Sequence, residues 1–227
     1  MVYFEPSYLD FFVQLALNNN REWFNTHKSQ FEEHVKTPFI RLVTDVYEAL
    51  RPDFPGLQAD PRQMLFRIHR DTRFSKDKAP YKLHMSAVIP KNGMTENGLY
   101  LEIGLDQIML AGGCYMPDAA QLLRIRQAIV RQPETFIQIV EAPVFIRICG
   151  GVQGEKNKKL APEFKEPAVR IPLLYNKQFY YSRIFTPSSA LLFDSELHTR
   201  IVETWKASSA FCTFVTEAAG QPVSKQK

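Results

Sequence analysis

Apolar positions along the 227-residue chain change their spacing twice. From residue 6 to residue 50 they recur at three and four, the period of a helix with one buried face. Leu9, Phe12, Val13 and Ala16 predict a helix over 6–17 with Ser7 as its cap. Asn18, Asn19 and Asn20 break it, and Asn20 is placed to cap the next helix. Phe24, Phe31 and Val35 continue one stripe. Thr37-Pro38 reads as a fresh start, a cap residue followed by Pro at the first helical position. Phe39, Leu42, Val43, Val46 and Leu50 carry the stripe to a Pro- and Gly-bearing breaker at 51–56.

Between 64 and 111 the period falls to two. Segments 64–70, 82–89, 99–105 and 107–111 read as strands. Their connections are short, which favours an antiparallel meander over a parallel sheet. After Asp118 the helical period returns through Leu122, Ile125, Ile129 and Val130, and Pro133 opens a second run with Phe136, Ile137 and Val140. Residues 150–169 are rich in Gly, Pro and Lys and read as a long loop. A strand is expected at 178–185, then a final helix from Asp194 or Ser195 through Leu197, Ile201, Trp205, Ala210 and Phe214. The order predicts a single α+β domain over 1–219, an antiparallel meander sheet flanked by N-terminal and C-terminal helices. Residues 220–227 read as a flexible tail.

Composition narrows the class. Hydrophobic content of 45% with 23% charged residues fits a soluble globular chain and excludes a disordered or fibrous one. No stretch approaches the roughly 18 apolar residues that span a bilayer. The first twenty residues lack the basic and unbroken apolar regions of a secretory signal. Cys114, Cys149 and Cys212 are scattered, which is no disulfide framework and no metal or redox pair. The expectation is a cytoplasmic protein without a membrane partner.

Charge changes the picture more. The chain carries a net +4. Residues 62–84 alone hold Arg62, Arg67, Arg70, Arg73, Lys76, Lys78 and Lys82 against only Asp71 and Asp77. That excess of five outweighs the whole, so the remainder is slightly acidic. A basic island on a near-neutral chain points to a local anion site.

Period two places the island on a surface. In 82–89 the apolar side is Leu83, Met85, Ala87 and Ile89, and the other side is Lys82, His84 and Ser86. In 64–70 Phe66 and Ile68 oppose Arg67 and His69. In 99–105 the apolar side leaves Tyr100 and Glu102 opposite. Paired strands would gather Arg67, His69, Lys82, His84, Tyr100 and Glu102, with Arg70, Arg73, Lys76 and Lys78 at the hairpin end. One face of an antiparallel sheet is often polar simply because it meets water. Two His, an Arg and a Tyr are a richer stock of donors than solvation needs.

The expected function is therefore binding of a small phosphate- or carboxylate-bearing ligand. Arg67, Arg70, Arg73, Lys76, Lys78 and Lys82 would supply charge, and His69, His84 and Tyr81 would orient the ligand. An alternative is hydrolysis of a phosphoester or acyl substrate at the same place. His69 or His84 would be the acid or base there, Glu102 its orienting partner and Arg67 a stabiliser of negative charge. A third reading is docking of nucleic acid or an acidic protein, with Phe74 and Tyr81 interleaved among the cations. The compact patch ranks nucleic acid below a small ligand.

Other motifs add little. No Gly-x-x-x-x-Gly-Lys-[Ser/Thr] loop is present. His27 and His34, or His69 and His84, lack the carboxylates of a metal site, so neither metal nor cofactor is expected. Cys114 reads as an inert buried thiol, and Gly112-Gly113 as a turn, a bulge or a point of close approach. Trp23 reads as core. Ligand identity and oligomeric state stay open.

The segment FRIHRDTRFSKDKAPYK (66–82) closely resembles the signature of the family named domain of unknown function 2461. NNNREWFNTHKSQFE (18–32), GGCYMP (112–117) and NKQFYYSR (176–183) are similar to its other recurring segments, in the same order. Cys114 stands where that family usually shows Gly, and KKLAPEFKEP lacks the Gly and the nearby His-Pro of its relatives. The resemblance implies a mostly bacterial, cytoplasmic, single-domain α+β protein, and carries no established activity.

Overall fold

The structure, a computed structural model, describes residues 1–54, 58–73, 75–90, 98–187 and 190–220. Phe74 and the expected tail beyond Gly220 lie outside the described residues. The fold is α+β. Its sheet holds β1 (His84–Ile89), β2 (Leu99–Gly104), β3 (Ile108–Cys114) and β4 (Phe179–Phe185) as an antiparallel meander in sequence order. The helices before it are α1 (Pro6–Leu17), α2 (Arg21–Thr26) and α3 (Thr37–Leu50). Between β3 and β4 come α4 (Ala119–Arg131), α5 (Pro133–Val140) and α6 (Pro143–Cys149), and α7 (Leu197–Ala219) closes the described chain. Contacts divide the chain into two compact units.

The first unit comprises Met1–Pro90, Tyr100–Leu110 and Ile184–Val202. Here α3 packs on β1, burying Phe39, Leu42, Val43 and Val46 with Met85, Ala87 and Ile89. α1 buries Tyr8, Phe11, Phe12 and Leu15, whereas Val13 is exposed. The expected stripe is thus shifted by one position. Both sets recur at helical spacing, and the three aromatic rings remove more apolar surface from water than Leu9, Val13 and Ala16 would. Glu5, not Ser7, precedes the helix, with Pro6 in its first position.

Asn20 caps α2 as expected, its Oδ1 accepting from the Trp23 N–H at 2.9 Å. Thr37 caps nothing. Residues 28–50 stay helical through a widened π turn over Phe31–Lys36, where the Thr37 N–H reaches the Glu32 carbonyl. Pro38 has no N–H to donate to the carbonyl four residues back, and the wide turn carries the chain past that missing bond.

Segment 64–70 is not a strand but follows β1 through isolated bridges. Leu65 pairs with Ala87 and His69 with Tyr81, so four steps on one side span six on the other. This bulge breaks the ladder. It also brings Phe66 beside Ser86, where the Phe66 N–H donates to the Ser86 carbonyl at 2.8 Å. Phe66 consequently lies on the polar side, 37% exposed, instead of in the core.

The second unit comprises Lys91–Leu99, Ala111–Arg183 and Glu203–Lys227. Phe145 meets the rings of Tyr181 and Phe211, and Phe136 meets those of Phe179 and Phe214. Gly113 has φ +100°, and a Cβ there would lie 2.5 Å from the Phe179 carbonyl oxygen. The glycine pair is thus a point of close approach between β3 and β4. The expected loop at 150–169 includes short helical turns at Pro162–Lys165 and Pro167–Arg170. All three cysteines are buried, and burial pushes the Cys149 and Cys212 thiols up to about 12.

Candidate functional site

Alternation along β1 and the two residues before it turns Met85, Ala87 and Ile89 into the core and leaves Lys82, His84 and Ser86 on the other side. β2 adds Tyr100 and Glu102. The Glu102 carboxylate is 7% exposed. A charge so placed needs donors on both oxygens. The Tyr100 hydroxyl donates to Glu102 Oε2 at 2.6 Å, and Gln107 Nε2 donates to Oε1 at 2.7 Å. Gln107 arrives there because the β2–β3 turn is closed by a 2.9 Å bond from the Gly104 N–H to the Gln107 carbonyl. His84 Nε2 lies 3.5 Å from Glu102 Oε2. Ser86, 2% exposed, hydrogen-bonds the Tyr100 hydroxyl.

Burial dominates the protonation of this cluster. It lowers His84 from 6.5, against the pull of Glu102 and with a further push from Lys82. The imidazole is therefore neutral near pH 7, with one donor and one acceptor nitrogen. Burial also lowers the Lys82 ammonium, opposed by Glu102 and reinforced by Arg67. Tyr100 is pushed up by burial and by its bond to Glu102, so it remains a donor. Lys82 sits over the Phe66 ring, 5.6 Å from its centroid. Arg67 is exposed, and its charge is felt by both Lys82 and Asp71. Neither Arg67 nor Lys82 forms an ion pair among the described residues.

The hairpin cations sit differently. Arg70 is paired with Asp77. Arg73 takes Asp71 through Nε at 3.0 Å and Nη2 at 2.7 Å, and the carboxyl falls to about 2 under that guanidinium. Lys78 Nζ donates to the Thr72 carbonyl at 2.9 Å, and Lys76 is exposed. His69 is exposed, and its ring neighbours are Tyr81 at 5.0 Å and Phe24 at 6.3 Å. Tyr81 is buried with its ring stacked on Phe24 at 4.1 Å. Trp23 is only half-buried and stacks on His27 at 4.1 Å.

The strand face thus unites Lys82, His84, Tyr100 and Glu102, the set that period two predicts for β1 and β2. His69 and Tyr81 fall into an aromatic cluster instead. Ser86 and Tyr100 were legible as face residues from their parity. Gln107 was not, because it reaches Glu102 only through the turn. Among the described residues no three His, Cys, Asp or Glu side chains assemble as a metal site. No helix among them is long and apolar enough to cross a membrane.

No curated protein and no solved structure matches the chain. A family model described as a conserved hypothetical protein, DUF2461, matches residues 7–214. With that match running from α1 to within α7, the chain belongs to the DUF2461 family.

Proposed function

We propose that the β1–β2 face binds a small ligand bearing a phosphate or carboxylate. The observation that carries this reading is the pair Arg67 and Lys82. Arg67 sits close enough to lower the Lys82 ammonium, against the larger pull of Glu102, and neither cation is met by a carboxylate ion pair among the described residues. An anion between them relieves that repulsion and takes charge-assisted hydrogen bonds from both. Neutral His84 stands beside them, its Nε2 turned to Glu102. Arg70 and Arg73 contribute less, since each is held by its own aspartate.

The His84–Glu102 contact also favours a second reading at the same face. A carboxylate at Nε2 orients the imidazole and leaves Nδ1 to take a proton from water or substrate. That is the arrangement of a hydrolase acting on phosphoesters or acyl compounds.

One experiment tests both. Inorganic phosphate, nucleotides, sugar phosphates and small carboxylates are titrated calorimetrically, and each mixture is then assayed for product. The expected result is binding that weakens about 10- to 100-fold in Arg67→Ala or Lys82→Ala, the loss of one charge-assisted bond. Arg73→Ala should leave it nearly unchanged. Equal binding by wild type and Lys82→Ala sinks the anion reading. Product formation that survives His84→Ala sinks the hydrolase reading.

A further inference from the structure

Three successive asparagines separate α1 from α2, and each does something different. Asn18 Nδ2 donates to the Gln14 carbonyl at 3.0 Å, closing α1. Asn20 Oδ1 opens α2 by accepting from the Trp23 N–H. Asn19 serves neither helix. Its Nδ2 donates to the Tyr81 carbonyl at 3.0 Å and its Oδ1 accepts from the Tyr81 N–H at 3.1 Å, across 62 residues of sequence.

The hydrogen-bonding of Tyr81 explains why that matters. Opposite His69, the flanking bonds run from the Lys82 N–H to the Ile68 carbonyl at 2.9 Å and from the Arg70 N–H to the Pro80 carbonyl at 2.8 Å. In such a pair the N–H and C=O of Tyr81 itself point to the other edge. On that edge β2 supplies a partner at Leu83, whose carbonyl accepts from the Leu105 N–H at 3.0 Å. Tyr81 lies two residues further out. The Asn19 carboxamide has a donor and an acceptor side by side, as a peptide group has, and satisfies both Tyr81 groups where a strand would otherwise be needed. Phe24 holds the Tyr81 ring from above.

We infer that Asn19 is a positioning residue for the anion face, standing in for a strand so that Tyr81, and with it the adjacent Lys82, is held in register with His84. This rests on the reading of that face given above. Asn19→Ala removes both bonds, and Asn18→Ala removes only the bond that ends α1. Three readouts separate positioning from general stability. They are amide hydrogen exchange at Tyr81 compared with Leu101 and Ile103, the pH titration of the Lys82 ammonium by carbon-detected NMR, and the dissociation constant for inorganic phosphate.

In Asn19→Ala the Tyr81 amide should exchange roughly tenfold faster or more, the signature of local opening, while Leu101 and Ile103 stay protected. The Lys82 titration should move up toward 10.5 as its ammonium gains water, and phosphate should bind about three- to tenfold more weakly. Asn18→Ala should change none of these. Where Asn19→Ala does not fold, Asn19→Ser should show the same directions. Unchanged Tyr81 exchange and Lys82 titration overturn the role, as does faster exchange of all three amides alike. Wild-type protein that binds neither phosphate nor any other anion of the panel above overturns the anion reading on which the role rests. Wild-type binding that Asn19→Ala matches overturns the positioning role alone.

Discussion

Glu102 carries its charge in a place where few water molecules reach it, and each neighbour is explained by that fact. Tyr100 and Gln107 occupy one oxygen each, and His84 stands beside the oxygen that Tyr100 holds. Removing one donor leaves a buried charge short of a partner, which costs more than an ordinary surface bond. Tyr100→Phe keeps the ring and deletes only the hydroxyl. The expected loss is about 1.5–3 kcal/mol, the range for a hydrogen bond to a charged group. Urea unfolding at pH 7.5 checks it, with an unchanged slope and a lower midpoint. A midpoint equal to that of wild type would mean that water replaces the hydroxyl and that the carboxylate is not sealed. The exposed pair of Arg73 and Asp71 is the contrast. Both groups are solvated, and breaking it should lower the midpoint far less than Tyr100→Phe does.

At the scale of elements the face exists because β1 and β2 run unusually close at one point. A Cβ on Gly104 would lie 2.6 Å from His84 Cβ and 2.9 Å from the Leu83 carbonyl oxygen. Gly104→Ala should therefore push the strands apart, destabilise the fold by about 1–3 kcal/mol as overpacking does, and draw His84 away from Glu102. Proton NMR titration reads the second effect. Burial lowers the imidazole and Glu102 raises it, so a ring that stays covered while it loses Glu102 should titrate further below 6.5. A rise would show that the ring gains water as the strands part, and no change that they absorb the methyl without moving His84. The same elements show what the sequence could and could not say. Alternation along β1 was legible because both its faces are used: Met85, Ala87 and Ile89 inward, Lys82, His84 and Ser86 across. Segment 64–70 alternates just as well in sequence, but its register against β1 slips by two residues, and period says nothing about register. Phe66 therefore lies on the polar side, and the His69 ring lies by Tyr81 and Phe24. In α1 two apolar stripes fit the helical period, and only packing chooses the one with the larger rings. Asn19 was visible as a breaker, but its partner lies too far along the chain for any local rule to find.

Across the whole molecule the charges fall into two populations that titrate in separate windows. Asp71, Asp77 and Glu134 are exposed, and hydrogen bonds and arginine partners hold all three below their ordinary values. A carboxylate lowered in the folded state adds stability above its unfolded value near 4, and that stability is lost as pH falls toward the folded value. His84 obeys the same sign with a different origin. Its folded value lies below 6.5 because burial disfavours the imidazolium. As pH falls below 6.5 the unfolded chain takes up this proton before the folded one does, so stability drops between 6.5 and the folded value. The slope in that window is at most about 1.4 kcal/mol per pH unit for one group. Salt tells the two apart. At 1 M the screening length is about 3 Å, which suppresses the exposed pairs and leaves the desolvation of a half-buried imidazole largely unaffected. Denaturant midpoints measured from pH 7.5 to pH 3, in 0.1 M and 1 M NaCl, should show a salt-insensitive decline that begins near pH 6.5 and a salt-sensitive one below about pH 4.5. His84→Gln should flatten the upper decline and leave the lower one in place. An upper decline that persists undiminished in His84→Gln would mean that another group carries it and that His84 is protonated as readily in the folded protein as in the unfolded chain. Such an imidazole would still be mostly neutral at pH 7, and the face would gain its charge only as pH falls below about 6.5.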